Sequence, residues 1–373
     1  MSAPEVGGPV REVDVAVIGG GQAGLATAYF LGRRGFSPGD GFVVLDRASA
    51  PGGAWRHVWR SVRLISPSAY TRLPGLPWDR GSAGPPGGDE VSAYFAAYER
   101  HFALPVRRPV LVRRVRNDGP GVETTRATPL LVETDAGTWR ARAVANATGT
   151  WDRPFIPAVP GRALFRGRQL HAAGYHAPEA FAGQRIVVVG GGHSAVQILA
   201  ELSRVAETVW VTRRPPEFRE GRPTEADLVA VTDQVAERVA AGLPLRSVVS
   251  YTGLVATPDV EEARERGVLR ARPMFDRITP TGVAWDDGHE VPADVLLWAT
   301  GFRPVLGHLA PLRLRGPLGG IRMADTRAAV DPRVHLVGYG PSASMISAHR
   351  AAAHAARDLA AAHPAPNGGG PRH

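Results

Sequence analysis

Two segments of the chain repeat the same pattern of apolar and polar positions. The first, VDVAVIGGGQAGLATAYFLGRRG, starts at Val13, and the second, QRIVVVGGGHSAVQILAELSRV, starts at Gln184. In each, a run of β-branched apolar residues predicts a buried strand, a glycine triplet predicts a tight turn, and small and apolar residues at helical spacing predict a helix. Another apolar run follows each segment, FVVLD ending at Asp46 and TVWVT ending at Thr212. The pattern therefore predicts two strand-helix-strand units with parallel strands.

The first glycine triplet fits the spacing GxGxxG through Gly19, Gly21 and Gly24. In this arrangement the first glycine permits the sharp turn, the second lets the backbone approach a pyrophosphate, and the third lets the helix pack closely on its strand. The helix N-terminus then presents unpaired N–H groups to the phosphates. Asp46 stands where an acid accepts hydrogen bonds from a ribose. We therefore predict a dinucleotide site, the alternative being a glycine-rich turn that binds no ligand.

The second triplet keeps Gly190 and Gly192 but has Ala195 at the third position. No acid ends the strand that follows; Arg213 and Arg214 stand there instead. Guanidinium groups at this point suit a 2′-phosphate, which a carboxylate would repel. We predict that the first site holds FAD or NAD and the second holds NADPH. The alternative for the arginine pair is a solvated loop.

Two further apolar runs end alike, AVANATGTWDRPFIP and VLLWATGFRP, each closing in Ala-Thr-Gly at residues 147–149 and 299–301. Such matched strand ends indicate where the chain passes between two domains, and 373 residues suffice for two. We predict an α/β fold with two Rossmann-like dinucleotide-binding domains, the NADPH domain being inserted into the FAD domain. The predicted bounds are residues 1–155 and 293–373 for the FAD domain and 156–292 for the NADPH domain.

Composition narrows the class of protein. Apolar residues make up 44% and charged residues 21% of the chain, as in ordinary soluble globular proteins. No stretch approaches about 18 continuous apolar residues, and the start of the chain lacks a signal-peptide pattern; we therefore expect a cytoplasmic protein without a membrane partner. The net charge is +9, but the chain contains no lysine, so all 44 basic residues are arginines, and these are scattered. A solvated basic surface is the expectation, with no nucleic-acid partner.

The chain contains no cysteine. This excludes disulfides, thiol nucleophiles, cysteine-ligated metal and the redox-active cysteine pair of a disulfide reductase, and we expect no metal site. Two dinucleotide sites in one chain suggest electron transfer from NADPH to a flavin. Without cysteines, the reduced flavin can pass its electrons to an external protein or to dioxygen.

The connector LFRGRQLHAAGYH, residues 164–176, supplies a more specific signal. It fits FxGxxxHxxxY through Phe165, Gly167, His171 and Tyr175, just before the second glycine turn. In this it resembles the class B flavin monooxygenases, which carry an FxGxxxHxxx(W/Y) fingerprint at this place. The similarity extends to GGGQAGLA, to the GGxW element that begins at Gly52, to both Ala-Thr-Gly strand ends and to VHLVGYG. It covers nearly the whole chain.

Departures from the subfamily patterns favour one branch. Baeyer-Villiger enzymes usually end the fingerprint in Trp followed by Pro or Asp, whereas Tyr175 is followed by His176. The segment RLISPSAYTRLPGLPW is more similar to YUCCA-type and small bacterial flavin monooxygenases. Where animal-type enzymes have an Asn near the flavin, Ser66 is the nearest equivalent. These departures favour heteroatom oxygenation or YUCCA-like chemistry over ketone insertion.

The resemblance implies a mechanism in which NADPH reduces FAD, dioxygen forms a C4a-(hydro)peroxyflavin, and retained NADP+ protects it until a small or medium organic substrate is oxygenated. Alternatives within enzymes are Baeyer-Villiger oxidation of a ketone and an NADPH-dependent flavin reductase or oxidase. A nucleotide-binding sensor without catalysis is the alternative outside enzymes. Dioxygen and a small molecule are the expected partners, and a homodimer is an option that the sequence leaves open.

The resemblance also implies the site residues. As catalytic residues we take His171, Ser66 and Tyr175, with His171 more an organiser of domain orientation than a proton donor; Trp55 and Tyr70 are further pocket candidates. For Trp55 and Trp59 the alternative is core packing. The cofactor-binding candidates are Gly19, Gly21, Gln22, Ala23, Gly24, Asp46, Arg47, Gly53, Trp55, Thr148, Gly149, Gly190, Gly192, His193, Ser194, Ala195, Arg213, Arg214, Thr300, Gly301 and Gly338.

Two predicted helices have open roles. The segment SMISAHRAAAHAARDLA follows Gly338 and Gly340, and its N-terminus could face the pyrimidine edge of the flavin, where the helix dipole would favour the anionic reduced ring. The alternative is a closing helix with no ligand. Between Pro223 and Gly242, apolar residues including Val235 and Val239 lie on one helical face. We interpret this segment as an ordinary packed helix, with a substrate lid as the alternative.

Overall fold

The computed structural model describes residues 9–62, 72–78, 86–119, 128–219, 224–245 and 253–364. The helices are α1 (Gln22–Arg33), α2 (Gly88–His101), α3 (His193–Leu202), α4 (Glu225–Ala240), α5 (Pro258–Glu265) and α6 (Met345–Ala362). The strands are β1 (Arg11–Ile18), β2 (Phe42–Leu45), β3 (Val106–Arg107), β4 (Val112–Asn117), β5 (Leu130–Thr134), β6 (Gly137–Asn146), β7 (Arg168–His171), β8 (Arg185–Val189), β9 (Glu207–Thr212), β10 (Phe218–Arg219), β11 (Leu254–Val255), β12 (Ala271–Pro273), β13 (Arg277–Thr279), β14 (Gly282–Ala284), β15 (Glu290–Pro292), β16 (Val295–Trp298), β17 (Met323–Ala324), β18 (Arg327–Ala328) and β19 (Val334–Leu336).

The first sheet is built around β6. One edge of β6 pairs in parallel with β1, which in turn pairs in parallel with β2. The other edge pairs antiparallel with β5 near its start and in parallel with β19 at Val144 to Asn146. The strand order is β17-β18-β19-β6-β1-β2-β3, with β5 and β4 on the branch. The parallel unit β1-α1-β2 confirms the first predicted strand-helix-strand unit, and the late strand β19 shows that the chain returns to this sheet.

The second sheet is parallel throughout, in the order β12-β9-β8-β16-β7. Its centre, β8-α3-β9, is the second predicted unit. The small antiparallel sheet β13-β14-β15 packs against it, since Ile278 and Val283 are buried in one cluster with Val187 and Trp298. Strand β16 lies between β8 and β7, so this sheet extends to Trp298. A domain boundary at residue 293 would therefore separate β16 from the sheet to which it belongs. The partners of a strand decide where a domain ends, and the local sequence pattern does not contain them.

The chain crosses between the two sheets twice, and the crossings are joined by backbone hydrogen bonds. Phe155 N donates to Gly301 O at 2.9 Å, Arg303 N to Arg153 O at 2.8 Å, and Val305 N to Gly149 O at 3.0 Å. The two Ala-Thr-Gly strand ends therefore mark the crossing points, as their match predicts.

Helix α4 packs on the first domain although its sequence lies within the insertion. Val235 and Val239 are buried in one cluster with Leu309 and Tyr339, which agrees with the interpretation as an ordinary packed helix. Within the described ranges, no helix combines the length and apolar character needed to cross a membrane. Nor do these residues contain a group of three or more histidine or acidic side chains that could hold a metal ion.

Candidate active site

Each of the two glycine turns packs against the alanine of one Ala-Thr-Gly motif. Gly19 has φ +105°, and a Cβ on it would lie 2.5 Å from Ala147 O. Gly190 has φ +146°, and a Cβ there would overlap Ala299 O. Only glycine tolerates both the backbone conformation and the approach. The backbone carbonyls of the alanines in the two Ala-Thr-Gly motifs thus lie directly against the two turns.

The first turn leaves a cradle for a diphosphate. Helix α1 begins at Gln22, directly after Gly21, and no side chain caps it, so its first N–H groups are free to face an anion. A Cβ on Gly24 would overlap Gly19 O, and one on Gly53 would lie 2.9 Å from Gly21 Cα. The GGxW turn therefore packs on the phosphate turn itself. The predicted site residues Gly19, Gly21, Gly24 and Gly53 lie together here, and their arrangement fits a dinucleotide.

Asp46 directly follows β2 and is only 6% exposed. Arg108 donates its Nε to Asp46 Oδ2 at 2.7 Å and its two terminal nitrogens to Glu99 at 2.8 and 2.9 Å. Burial opposes the charge of Arg108, but the hydrogen bonds that it donates to both carboxylates leave its pKa raised. Sequence reasoning missed Arg108 and Glu99, because neither belongs to the glycine motif and the chain is rich in arginine.

Other first-site candidates lie nearby. Arg47 pairs with Asp152 on the first crossing, and desolvation raises the pKa of that aspartate. Gly338 has φ +81°, and a Cβ on it would lie 3.3 Å from Ala23 Cβ. Gln22 Nε2 lies 3.0 Å from His349 Nε2 of α6. The start of α6 therefore lies beside the start of α1.

The threonines of the Ala-Thr-Gly motifs secure the crossings. Thr148 Oγ1 donates to Val305 O at 2.7 Å, and Thr300 Oγ1 donates to Phe155 O. Gly149 and Gly301 have φ +63° and +80°, and a Cβ on either would meet nothing within 4 Å. The positive φ angle, and not a lack of space within the protein, is therefore what favours glycine at both positions.

The second turn also has an uncapped helix behind it. Helix α3 starts at His193 after Gly192, no side chain caps it, and Ala195 is buried. Ser194 lies in its first turn, partly exposed. His193 Nε2 accepts a hydrogen bond from Val255 N at 3.0 Å, and burial lowers the pKa of the histidine. His193 is therefore fixed towards β11.

The end of β9 lies beside this turn, because a Cβ on Gly191 would contact the side chain of Thr212 at 3.8 Å. Arg213 and Arg214 follow Thr212 and are exposed. No hydrogen bond or ion pair joins either arginine to another residue of the described part of the chain. Two exposed guanidinium groups of this kind suit an anionic group, and their assignment to a 2′-phosphate stays a prediction.

His171 uses both ring nitrogens on backbone. Nδ1 accepts from Ala173 N at 3.0 Å, and Nε2 lies 3.0 Å from Gly301 O, to which it must donate. This requires the neutral ring, and burial lowers its pKa accordingly. Phe302 contacts the ring edge-on at 4.9 Å between centroids. The arrangement supports the role of His171 as an organiser between the fingerprint and the second crossing.

The other fingerprint residues are packed. Phe165 is 8% exposed, and a Cβ on Gly167 would lie 2.5 Å from Asp294 O. Tyr175 is fully buried and donates its hydroxyl to Glu201 Oε2 at 2.8 Å; burial is the largest cause that raises its pKa. Tyr175 therefore faces the interior of the second domain, and Glu201 is its unpredicted partner.

Trp55 lies in the 3-10 helix Gly53–Arg56 and is exposed to an intermediate degree beside the cluster around Tyr94 and Phe95, while Trp59 is 5% exposed. Trp59 is therefore packed in the core, which is the alternative given for it above. Ser66 and Tyr70 lie outside the described residues.

Residues 16–265 match the protein family described as pyridine nucleotide-disulphide oxidoreductase. The structure of a flavin-containing monooxygenase from Stenotrophomonas maltophilia is similar with a TM-score of 0.80 and 41% identity, over 94% of this chain and 99% of that one. A Baeyer-Villiger monooxygenase of Streptomyces coelicolor is 32% identical over 55% of this chain and 38% of its own length. Indole-3-pyruvate monooxygenase YUCCA1 of Oryza sativa subsp. japonica is 28% identical over 77% of this chain and 76% of its own length.

The chain spans between 49% and 56% of the length of three further curated relatives. The prediction of FAD and NADPH as cofactors is confirmed at the level of the family. The fold of two Rossmann-like domains, the glycine turns and the fingerprint agree with this assignment. The chain belongs to the flavin-dependent monooxygenases of the class B type.

Proposed function

We propose that the protein is an NADPH- and FAD-dependent monooxygenase that transfers one oxygen atom from dioxygen to a small or medium organic molecule, at nitrogen or sulfur or by YUCCA-like chemistry. The observation that carries the proposal is the pair of glycine turns, each resting on an alanine of an Ala-Thr-Gly motif, at crossings joined by the hydrogen bond from Phe155 to Gly301. When bound, FAD accepts hydride from NADPH and supplies the electrons that activate dioxygen.

The protein groups bind and orient in this proposal. The N–H groups at the start of α1 bind the FAD diphosphate and those at the start of α3 bind the NADPH diphosphate. Arg213 and Arg214 bind the 2′-phosphate, which selects NADPH over NADH. His171 stays neutral and fixes the fingerprint to Gly301, so that the two dinucleotides keep one relative placement.

The choice of heteroatom chemistry rests on two supports. The flavin-containing monooxygenase of S. maltophilia is similar over nearly its whole length, whereas the Baeyer-Villiger relative is matched over a minor part of its own chain. The fingerprint ends in Tyr175 and His176, where Baeyer-Villiger enzymes usually have Trp followed by Pro or Asp. Baeyer-Villiger oxidation of a ketone is the alternative reaction, and the same experiment tests it.

The test is product formation under ¹⁸O₂. The FAD-loaded enzyme is incubated with NADPH and, separately, an aryl methyl thioether, a tertiary amine, a cyclic ketone and an aryl 2-oxo acid. Each oxygenation consumes one NADPH, one proton and one O₂ and yields oxygenated product, NADP⁺ and water, with release of one CO₂ in addition from the 2-oxo acid, so one ¹⁸O atom appears in the product per NADPH oxidised. We expect label in the sulfoxide or N-oxide, or in the decarboxylated acid. Hydrogen peroxide equal to NADPH consumed with every probe would instead support the flavin oxidase, and label in an ester alone the Baeyer-Villiger reaction.

A further inference from the structure

We infer that Glu201 is a positioning residue that fixes the NADPH-binding helix α3 against the FAD phosphate turn. Its carboxylate accepts hydrogen bonds from both domains. Trp59 donates its Nε1 to Glu201 Oε1 at 3.3 Å, and the hydroxyl of Ser61 donates to the same oxygen. Tyr175 donates to Oε2 at 2.8 Å. Trp59 and Ser61 precede the first crossing, whereas Tyr175 and Glu201 belong to the inserted domain.

Residues 53–62, which we call the tryptophan loop, physically connect the two cofactor turns. At its start, Gly53 packs on Gly21 of the FAD turn. Further along, Trp59 leaves its own domain and is buried in the core of the other one, in one cluster with Tyr175 and Phe181. The rings of Trp59 and Tyr175 meet edge to face at 6.0 Å between centroids. The loop therefore extends from the first glycine turn to the interior of the second domain.

Three hydrogen-bond donors converge on the Glu201 side chain, and this explains why the residue is an acid. An ionised carboxylate only accepts, and its two oxygens can take all three hydrogen bonds. A glutamine could keep its oxygen towards Trp59 only by turning its NH₂ group towards Tyr175, whose hydroxyl would then have to accept rather than donate, and every remaining hydrogen bond would be to a neutral group. Hydrogen bonds to a charged acceptor are also the stronger ones. An otherwise apolar stretch of α3 thus carries its single acid where both domains can reach it.

Glu201 lies eight residues after His193, the first residue of α3, which is about 12 Å along a helix. The junction therefore holds the N-terminus of α3, the proposed NADPH diphosphate site, at a set distance from the FAD turn. That consequence rests on the proposed function, since it assumes that NADPH bound at α3 reduces FAD bound at α1.

The test compares Glu201→Gln and Glu201→Ala with Glu262→Gln. Glu262 is an exposed acid of the same domain that pairs with Arg204 at 2.6 Å, so its variant controls for lost charge. The first measurement is amide hydrogen exchange of the tryptophan loop in FAD-loaded enzyme without NADPH, where Val62 N donates to Trp59 O. We expect exchange there to rise about tenfold in the Glu201 variants, the size of one lost charge-assisted hydrogen bond, and to stay unchanged in the control.

The second measurement is the rate of FAD reduction at saturating NADPH, which we also expect to fall about tenfold with unchanged FAD affinity. Ser61→Ala keeps the fold if the Glu201 variants do not, and should produce the same two changes in smaller size. Combined with Glu201→Ala, which removes the acceptor of Ser61, it should add nothing. Loop exchange equal to that of wild type would overturn the junction, and faster exchange with an unchanged reduction rate would overturn its link to NADPH. The exchange measurement needs neither NADPH nor an oxygenated product, so it tests the junction independently of the proposed function. Absence of FAD reduction by NADPH in the wild-type enzyme would instead contradict the proposed function and leave the exchange result standing.

Discussion

Arg108 donates its Nε to Asp46 at 2.7 Å while its terminal nitrogens bind Glu99, with all three side chains about one-tenth exposed. One cation thus lies between two carboxylates, directly behind the first glycine turn. A Cβ on Gly20 would lie 2.6 Å from Arg108 Nη2, so the guanidinium also fills the space that this glycine leaves. The acid expected to hold the FAD ribose is therefore held in place by Arg108.

Replacing Arg108 by Met should destabilise the protein by on the order of 3 kcal/mol, because removal of one partner leaves buried charge uncompensated. FAD should also bind more weakly, since Asp46 loses its support. Arg107→Met is the matched control, because the neighbouring Arg107 is exposed. Urea unfolding of the apoprotein and fluorescence titration with FAD measure the two effects. Equal results for both variants would contradict the structural role of Arg108.

Two glycines of α1 allow a second paired test. A Cβ on Gly24 would overlap Gly19 O, whereas a Cβ on Gly32 would meet nothing within 4 Å. Gly24→Ala should therefore abolish FAD binding or the fold. Gly32→Ala should raise the free energy of unfolding by roughly 0.5 to 1 kcal/mol, because alanine is the better helix former. Thermal unfolding and the FAD content of the purified variants check this. FAD binding by Gly24→Ala at wild-type strength would show that the turn is not the diphosphate site.

Arg213→Ala and Arg214→Ala should raise the KM for NADPH by about tenfold or more, while the KM for NADH changes little, because each lost charge-assisted hydrogen bond to a phosphate is worth about 1.5 to 3 kcal/mol. Initial rates with both nucleotides measure the ratio. Arg277→Ala, which removes an exposed arginine elsewhere in the same domain, is the control. An equal rise for NADPH and NADH would refute the phosphate assignment.

Two buried histidines predict a loss of stability in mild acid. Burial lowers the pKa of His308 and of His335 to about 4, below the ordinary value near 6.5 of an unfolded chain. The unfolded state therefore takes up protons first, so the stabilisation is complete above about pH 6.5 and decreases as the pH falls towards 4. By pH 5 each histidine should have cost roughly 2 kcal/mol.

Urea unfolding of FAD-saturated protein between pH 7.5 and 5 measures this slope. His308→Gln should flatten it, and His176→Gln, which changes an exposed histidine, should not. The same slope in all three proteins would mean that His308 is not kept neutral by the fold.

His171→Gln tests whether that histidine acts on protons. Because both its nitrogens bind backbone, we expect the melting temperature to fall by roughly 1 to 2 °C, as for a loss of about 1 kcal/mol in a chain of this length, while the pH dependence of NADPH oxidation keeps its shape. Disappearance of one limb of the pH profile would instead make His171 an acid or base of the reaction. The His176→Gln variant again serves as control.

The local sequence pattern predicted those features that depend on local backbone geometry. Gly19 and Gly190 were identifiable because a positive φ and a close carbonyl exclude other residues, and the repeated Ala-Thr-Gly is the other half of that contact. Glu201 was not, because its partners Trp59 and Tyr175 lie 142 and 26 positions away and a single acid in an apolar helix is usual at a surface. Arg108 was hidden among many arginines. The placement of β16 depends on β7 and β8, which no local window contains.

The hydrogen bond from Phe155 to Gly301 brings the two ends of the inserted domain together. Among the described residues, no strand of the first sheet comes from the stretch 156–298, so this stretch is, in terms of chain topology, a single loop of the first domain. A few residues could bridge its ends, and the domain could be exchanged as one cassette for that of a relative with another nicotinamide preference. Helix α4 would have to be matched in the graft, because Val235 and Val239 cover the host core.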